Sequence, residues 1–137
     1  YEVVLAGYWL RRGGPDPKMT RFLPKVRGKE VVFFQTHGAL PGSEHAVTAF
    51  ARAALLLGEG CSILGTFSCQ GKINPMLIEK RKKAGPDDPH ANSAENAARW
   101  AAAAAHPDEA DLAAASAFVK ALYRKRMLWA RFAEKRS

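Results

Sequence analysis

No run of about 18 uncharged apolar residues, the length that a transmembrane helix needs, occurs in this 137-residue sequence. The N-terminus also lacks the basic and then apolar order of a secretory signal. Cysteine is scarce, since Cys61 and Cys69 are the only two. They lie close together, in or beside one predicted strand, which favours reduced thiols over a disulfide framework. The sequence therefore predicts a cytoplasmic chain with no membrane span.

Motifs of metal and hydrolase sites are also missing. The histidines form no i, i+4 pair and have no Cys-x-x-Cys companion, so no metal site is expected. These histidines are His37, His45, His90 and His106. Glu44 beside His45 at a helix start is not accompanied by a Gly-x-Ser-x-Gly elbow, and no nucleophile triad is found. Whether the chain is an enzyme stays open at this point.

Positive charge is abundant, with a formal net charge of +8, but it is unevenly distributed. Seven bases and one acid lie between Lys120 and Ser137, so most of the excess belongs to this tail, which argues against nucleic acid as a partner of the domain. The tail, "KALYRKRMLWARFAEKRS", intersperses bases with large apolar residues. It is either a basic helix that binds an acidic redox partner, anionic lipid or nucleic acid, or a final helix whose apolar side docks on the domain.

The apolar content of 47% is enough for one domain with a sizeable core. Three apolar runs, at residues 1–7, 30–34 and 61–67, lack the alternation of a half-exposed sheet and predict strands that are covered on both faces. The first run begins at Tyr1 rather than at a methionine, as if the strand were already under way. An N-terminally incomplete sequence is therefore expected.

Amphipathic segments separate and follow these runs. Apolar residues at 19, 22, 23 and 26 predict a short helix that Pro24 ends early, and Ser43 is a predicted N-cap for a second helix up to residue 57. Further helices are predicted at 75–83, from Ser93 to Ala105, and from Pro107 onward. The order strand, helix, strand, helix, strand indicates right-handed crossovers and a parallel sheet.

Two loops follow the first two predicted strands. Ligands of open parallel sheets bind beyond the carboxyl ends of the strands, which is where these loops lie. The first, "GYWLRRGGPDP", offers the aromatic surface of Trp9; the second, "QTHGALPGSEHA", offers backbone amides around residues 36–39. The two loops together predict a site for a planar, partly polar ring.

Each candidate residue also has a structural interpretation. Trp9 could cover the rim of the core instead of stacking on a ring. His37 could be a solvated loop residue instead of a hydrogen-bond donor, and Thr36 and Gly38 could be turn residues. Cys69 could be a redox thiol whose pKa a nearby lysine at position 72 lowers, or a small half-buried residue. The residues alone leave these alternatives open.

The ordered segments resemble a known family. The stretch from residue 1 to 46, followed by "GTFSCQGKINPMLIEKRKK", "DPHANSAENAARW" and "HPDEADLAAASAF", is similar to the flavodoxin-like proteins, in particular to a branch with a Cys-Gln-Gly-Lys segment after its last core strand. The likeness covers residues 1–122. It implies an α/β fold, a three-layer doubly wound parallel sheet, that carries FMN non-covalently and exchanges electrons with a redox partner protein.

The resemblance also implies a set of cofactor-binding residues. Position by position, the first flavin-flanking loop corresponds to Tyr8–Gly14 and the second to Thr36–Leu40. The candidate FMN-binding residues are Tyr8, Trp9, Leu10, Gly13, Thr36, His37, Gly38, Ala39 and Leu40. The family holds the phosphate with a Thr/Ser/Gly-rich loop between its first strand and first helix, and this sequence has no such loop.

Residues 1–7 match the third strand of the family, so the first two strands and the first helix are expected to be missing from this chain. With the family's strand order 2-1-3-4-5, this absence would leave residues 2–7 as an unpaired apolar edge. The implied domain spans residues 1–122, and a basic helical tail spans 123–137. Two functions remain: an FMN-dependent electron-transfer protein or small oxidoreductase, and a flavin-free interaction module that binds an acidic partner through the tail.

Overall fold

A computed structural model describes residues 1–134 of the chain. Within them the elements are β1 (Val3–Arg11), β2 (Gly14–Pro15), α1 (Pro17–Phe22), a 3₁₀ turn (Leu23–Lys25), β3 (Glu30–His37), α2 (Glu44–Leu55), β4 (Ser62–Gln70), α3 (Pro75–Lys82), α4 (Ala94–Ala104) and α5 (Glu109–Glu134). This order confirms the predicted α/β class. The N-caps predicted at Ser43 and Ser93 are also confirmed, since each hydroxyl accepts a hydrogen bond from the helix that follows.

The sheet has the strand order β2-β1-β3-β4, and β1, β3 and β4 run parallel as predicted. The prediction that the first strand ends at residue 7 is wrong, because β1 continues to Arg11 and turns back into β2 as a hairpin. Arg12 and Gly13 have φ angles of 53° and 79°, the left-handed conformation of a tight two-residue hairpin turn. The first predicted loop is therefore mostly a rigid extension of the sheet.

One face of the sheet carries the main core. Helix α1, the 3₁₀ turn and α2 cover this face, where Leu23, Val31, Phe33 and Ala53 are completely buried. After α2 the chain passes close to the 3₁₀ turn at Gly58, whose amide donates to the carbonyl of Leu23 at 3.3 Å. The turn and the end of α2 are therefore packed backbone against backbone.

The opposite face is only partly covered. Helix α5 lies across β3 and β4, where Phe118 contacts Phe34 and Phe67 at ring-centroid distances of 5.8 and 5.7 Å. On β1 this face is open, with Leu5 and Trp9 exposed by 56% and 52%. The prediction of strands covered on both faces is therefore wrong for β1, because α5 does not extend over it. Within residues 1–134 no strand pairs with the outer edge of β1 before Leu10, as the unpaired-edge prediction expects.

Helix α5 runs without a break from Glu109 to Glu134, through the expected boundary at residue 122. It docks on the sheet as far as Arg126, which donates to Glu30 at 2.6 Å and to Glu2 at 2.8 Å. Its last turns are exposed and carry large apolar side chains: Tyr123, Met127, Leu128, Trp129 and Phe132. The separate tail stays a prediction, and its residues 135–137 lie outside the described part. None of the helices within residues 1–134 has the length and apolarity to cross a membrane.

Candidate functional site

A cleft of about 910 Å³ opens at the carboxyl ends of β1, β3 and β4. Its volume is within the range of roughly 300–1,000 Å³ that is usual for small-molecule sites. The walls are residues 9–12 at the end of β1 and in the hairpin turn, the loop 36–40 after β3, the loop 71–74 after β4, and parts of α3 and α4. The predicted position at the strand ends thus has a cavity of suitable size.

The cleft brings together most of the predicted site residues. Trp9, Leu10 and all five residues of the loop 36–40 line it. Tyr8 does not join them, because it lies further from the end of β1 and its side chain is buried in the core. Its ring packs edge-on against Phe33 in the core, at a centroid distance of 6.0 Å. Gly13 is buried in the hairpin turn and is also not part of the cleft lining.

Hydrogen bonds from elements that come later in the chain hold the loop 36–40 in place. The three consecutive carbonyls of residues 37–39 accept hydrogen bonds from the amide of Gly71 at 2.9 Å, Nη1 of Arg99 at 2.7 Å and Nε2 of Gln70 at 2.9 Å, respectively. Across residues 1–134 no acceptor is found for the amides of residues 38–40. Three hydrogen bonds therefore fix the loop, and its amides at residues 38–40 have no partner among the described residues.

His37 is the buried member of this loop. The side chain is only 3% exposed, which excludes the solvated-loop interpretation. Its Nδ1 lies 3.2 Å from the carbonyl of Ala39, and its buried Nε2 has no hydrogen-bond partner in the described part of the chain. Burial, with a smaller effect of His45, lowers the pKa of His37, although the bond to Ala39 opposes the shift. His37 is thus neutral at pH 7, and the tautomer that donates to Ala39 leaves Nε2 as an acceptor.

Gly38 allows the loops after β3 and β4 to pack together. A Cβ at this position would lie 2.4 Å from Cγ1 of Ile73, closer than real Cβ contacts. Its carbonyl is also the acceptor for Arg99. The turn interpretation of Gly38 is therefore incomplete, because the residue provides the space that Ile73 occupies.

The cleft is strongly basic. Its lining includes five cationic side chains, Arg11, Arg12, Lys72, Arg81 and Arg99, and a single carboxylate, that of Glu95. The sequence interpretation assigned the charge excess to the C-terminal tail and missed this second concentration. The arrangement favours an anionic ligand.

Cys69 does not have the environment of a reactive thiol. It lies in a second, largely apolar groove of about 350 Å³ between β1 and the start of α5, to which Trp9 also contributes. Burial raises the pKa of Cys69, and the carboxylates of Asp111 and Asp108 raise it further. The hypothesis that Lys72 lowers the pKa of this thiol is therefore wrong, and the half-buried structural interpretation holds.

The turn before α5 carries a cluster of His106, Asp108 and Asp111, whose possible metal-ligating atoms lie within 4.8 Å of one another. The carboxylates are engaged with the helix start: the amide of Asp108 donates to Asp111 and the amide of Asp111 donates to Asp108, both at 2.9 Å. The carbonyl of His106 accepts from the amide of Lys72 at 3.0 Å, so this helix cap also anchors the loop 71–74 of the cleft. We assign the cluster a capping role.

The ion pair in this cap should make stability pH-dependent. The Asp111 carboxylate raises the pKa of His106 above 6.5, and the His106 ring lowers the pKa of Asp111 below 3.8. The pair therefore stabilises the folded state fully between pH 3.8 and pH 6.5, the ordinary pKa values of the two groups. This stabilisation is lost as the pH rises through the raised pKa of His106. Thermal midpoints should show Asp111→Asn destabilised at about pH 5.5 and much less at about pH 9. An equal loss at both values would contradict the pairing.

The comparisons with known proteins agree with the α/β fold. Residues 1–120 match the model of a family described as Flavodoxin domain. The chain is 31% identical over 123 residues to the flavodoxin-like domain-containing protein BilS of Clostridioides difficile strain CD3, which covers 88% of this chain and 69% of that protein. It is 28% identical over 127 residues to BilS of Clostridium symbiosum strain WAL-14163, covering 86% of this chain and 65% of that protein. The chain thus spans about two thirds of the length of these relatives.

Proposed function

Because the chain belongs to the flavodoxin domain family, we propose that it binds FMN in the cleft at the strand ends and takes part in electron transfer. The observation that carries this proposal is the hydrogen bonding of the loop 36–40. The carbonyls of residues 37–39 accept hydrogen bonds from later elements, whereas the amides of residues 38–40 have no acceptor among residues 1–134. A flavin ring has polar atoms along one edge, and such amides suit them. When bound, FMN supplies the capacity to accept and donate electrons.

The side chains around this loop fit a planar ring. Trp9 is half exposed and lines the cleft, so its indole is available for stacking. The buried, unpartnered Nε2 of His37 offers an acceptor beneath the loop. Leu40, the last residue of the loop, is 54% exposed and provides apolar surface in the cleft lining. Together these residues would orient the ring and exclude water from one of its sides.

The charge of the cleft suits the dianionic phosphate of FMN. The described residues contain no Thr/Ser/Gly-rich loop like the one that holds the phosphate in the family. The cations that line the cleft, with only Glu95 against them, supply the opposite charge. This chain would therefore hold the phosphate through side chains rather than through a glycine-rich loop.

Substitution of Trp9 tests the placement of the ring. Trp9→Ala is expected to weaken FMN binding about tenfold, the order of an aromatic stacking contact. Fluorescence quenching of free FMN during titration with protein measures the affinity. Trp129→Ala is the matched control, because Trp129 is similarly exposed but lies near the end of α5. Equal affinities of both variants would place the ring elsewhere, and a lack of FMN uptake by the unaltered chain would reject the proposal.

The identity of the redox partner is also a proposal. The last turns of α5 combine exposed Trp129 and Phe132 with Arg124 and Arg131, which suits an acidic protein surface. A flavin-free module that binds such a partner through α5 is the second candidate function, and the same exposed residues support it. A chain without FMN uptake whose partner binding depends on Trp129 would favour that second function.

The free thiols of Cys61 and Cys69 support a cytoplasmic location.

A further inference from the structure

Two guanidinium groups from different helices face the cleft. Arg99 of α4 is half buried and is held by Gly38 and by Asn96, whose Oδ1 accepts from Nη2 at 2.9 Å. Arg81, in the last turn of α3, is also partly buried and lines the same cleft. Among the residues described, no carboxylate forms an ion pair with either of them. The single acid of the lining, Glu95, is therefore not a direct partner.

This arrangement is electrostatically unfavourable for the protein alone. Burial lowers the pKa of Arg99, and the charge of Arg81 lowers it further, whereas Glu95 opposes the shift. Partly buried charges are normally paired, because desolvation without a counter-charge is costly. Lys72 adds a third cation to the same lining, on a loop whose backbone is fixed by His106. Three positive groups on three separate elements thus line one cavity, and none of them has a direct ion-pair partner among the described residues.

We propose that Arg81, Arg99 and Lys72 form an oxyanion site that binds the carboxylate or phosphate group of a small molecule in the cleft. Guanidinium groups bind both of these anions through paired, parallel hydrogen bonds, and the lysine adds a point charge. Arg99 also holds the carbonyl of Gly38, so the bound anion lies beside the loop 36–40. The idea that this anion is part of, or next to, a bound flavin rests on the proposed function, whereas anion binding does not.

Thermal unfolding with inorganic phosphate, compared with sodium chloride at equal ionic strength, tests the site without any flavin. Phosphate is expected to raise the midpoint of the unaltered chain, since a ligand that binds only the folded state stabilises it. Arg81→Gln should bind phosphate about tenfold more weakly and lose most of this shift. Among residues 1–134 the side chain of Arg81 forms no hydrogen bond or ion pair, so Arg81→Gln should still fold.

Two further variants make this test specific. Arg124→Gln removes the same charge at an exposed position on α5 that does not line the cleft. This variant should show the full rise of the unfolding midpoint with phosphate. Arg81→Lys should restore part of the affinity, because it returns the charge without the paired geometry. Equal phosphate shifts in Arg81→Gln, Arg124→Gln and the unaltered chain would overturn the proposal.

Titrations with FMN, riboflavin and succinate identify the source of the anion. If Arg81→Gln weakens the binding of FMN but not of riboflavin, the oxyanion is the flavin phosphate. If both flavins bind unchanged while phosphate and succinate bind more weakly, the oxyanion belongs to a second molecule beside the flavin. If no variant takes up flavin but the phosphate shift still depends on Arg81, the oxyanion site stands and the FMN proposal fails.

Discussion

Replacing Gly38 by alanine is expected to weaken FMN binding at least tenfold. The new Cβ would lie 2.4 Å from Cγ1 and 2.5 Å from Cδ1 of Ile73, so Ile73 must rotate or the two loops must separate. Isoleucine is branched at Cβ and has few alternative rotamers, so rotation gives little relief. Separation of the loops would also disturb the bond between Arg99 and the Gly38 carbonyl. Both effects move the amides that the flavin ring would contact.

A double variant distinguishes this steric effect from a general loss of the glycine. Gly38→Ala combined with Ile73→Ala should recover most of the affinity, because the second substitution removes the atoms that clash. Gly85→Ala is the matched control, since a Cβ there meets no atom within 4 Å. FMN titrations of Gly38→Ala, Ile73→Ala, the double variant and the unaltered chain complete the cycle, with Gly85→Ala measured beside them. Failure of Ile73→Ala to rescue Gly38→Ala would show that the packing of these loops does not govern the site.

Replacing Gly58 by alanine is expected to lower the free energy of unfolding by about 3 kcal/mol, at the upper end for overpacking. A Cβ there would lie 2.4 Å from the carbonyl oxygen of Val26 and 2.9 Å from that of Pro24. These are backbone atoms, which cannot rotate away as a side chain can. The end of α2 must therefore move away from the 3₁₀ turn, and the hydrogen bond from Gly58 to Leu23 should be weakened.

Thermal unfolding measures this loss as a fall of roughly 10 °C in the midpoint for a domain of this size. Gly85→Ala again serves as the control and should change the midpoint by no more than about 2 °C. Circular dichroism at low temperature should show that Gly58→Ala still has its helices. A midpoint within 2 °C of the control would mean that the contact at Val26 relaxes at little cost.

The sequence was sufficient to predict the positions of the main strands and helices. Continuous apolar runs marked β1, β3 and β4, and side-chain caps such as Ser43 marked helix starts, because both signals are local. The length of β1 was missed because Arg12 and Gly13 adopt a tight hairpin that the composition "RRGG" does not distinguish from a loop. The open face of β1 was missed because strand hydrophobicity does not report which helix covers it.

The candidate site was predicted only in part, for a similar reason. The loop 36–40 could be placed from its position after a strand, and period-two alternation would have separated Tyr8 from Trp9. Arg99 carries no local signal, since it lies in an alanine-rich helix and meets Gly38 across 61 residues. The same holds for Ile73, whose contact with Gly38 depends on the loops being neighbours in space. Such pairings follow from the packing of whole elements.

The anchoring of the loop 36–40 has a consequence for the order of assembly. Its three carbonyls are satisfied by groups at positions 70, 71 and 99, all of which are synthesised after the loop itself. During translation β3 can therefore pair with β1, but the segment 37–39 cannot take its final shape until β4 and then α4 have docked. We expect the cleft to mature late, so that a nascent chain stopped before residue 99 has a folded sheet but a loop that lacks the bond from Arg99 to Gly38.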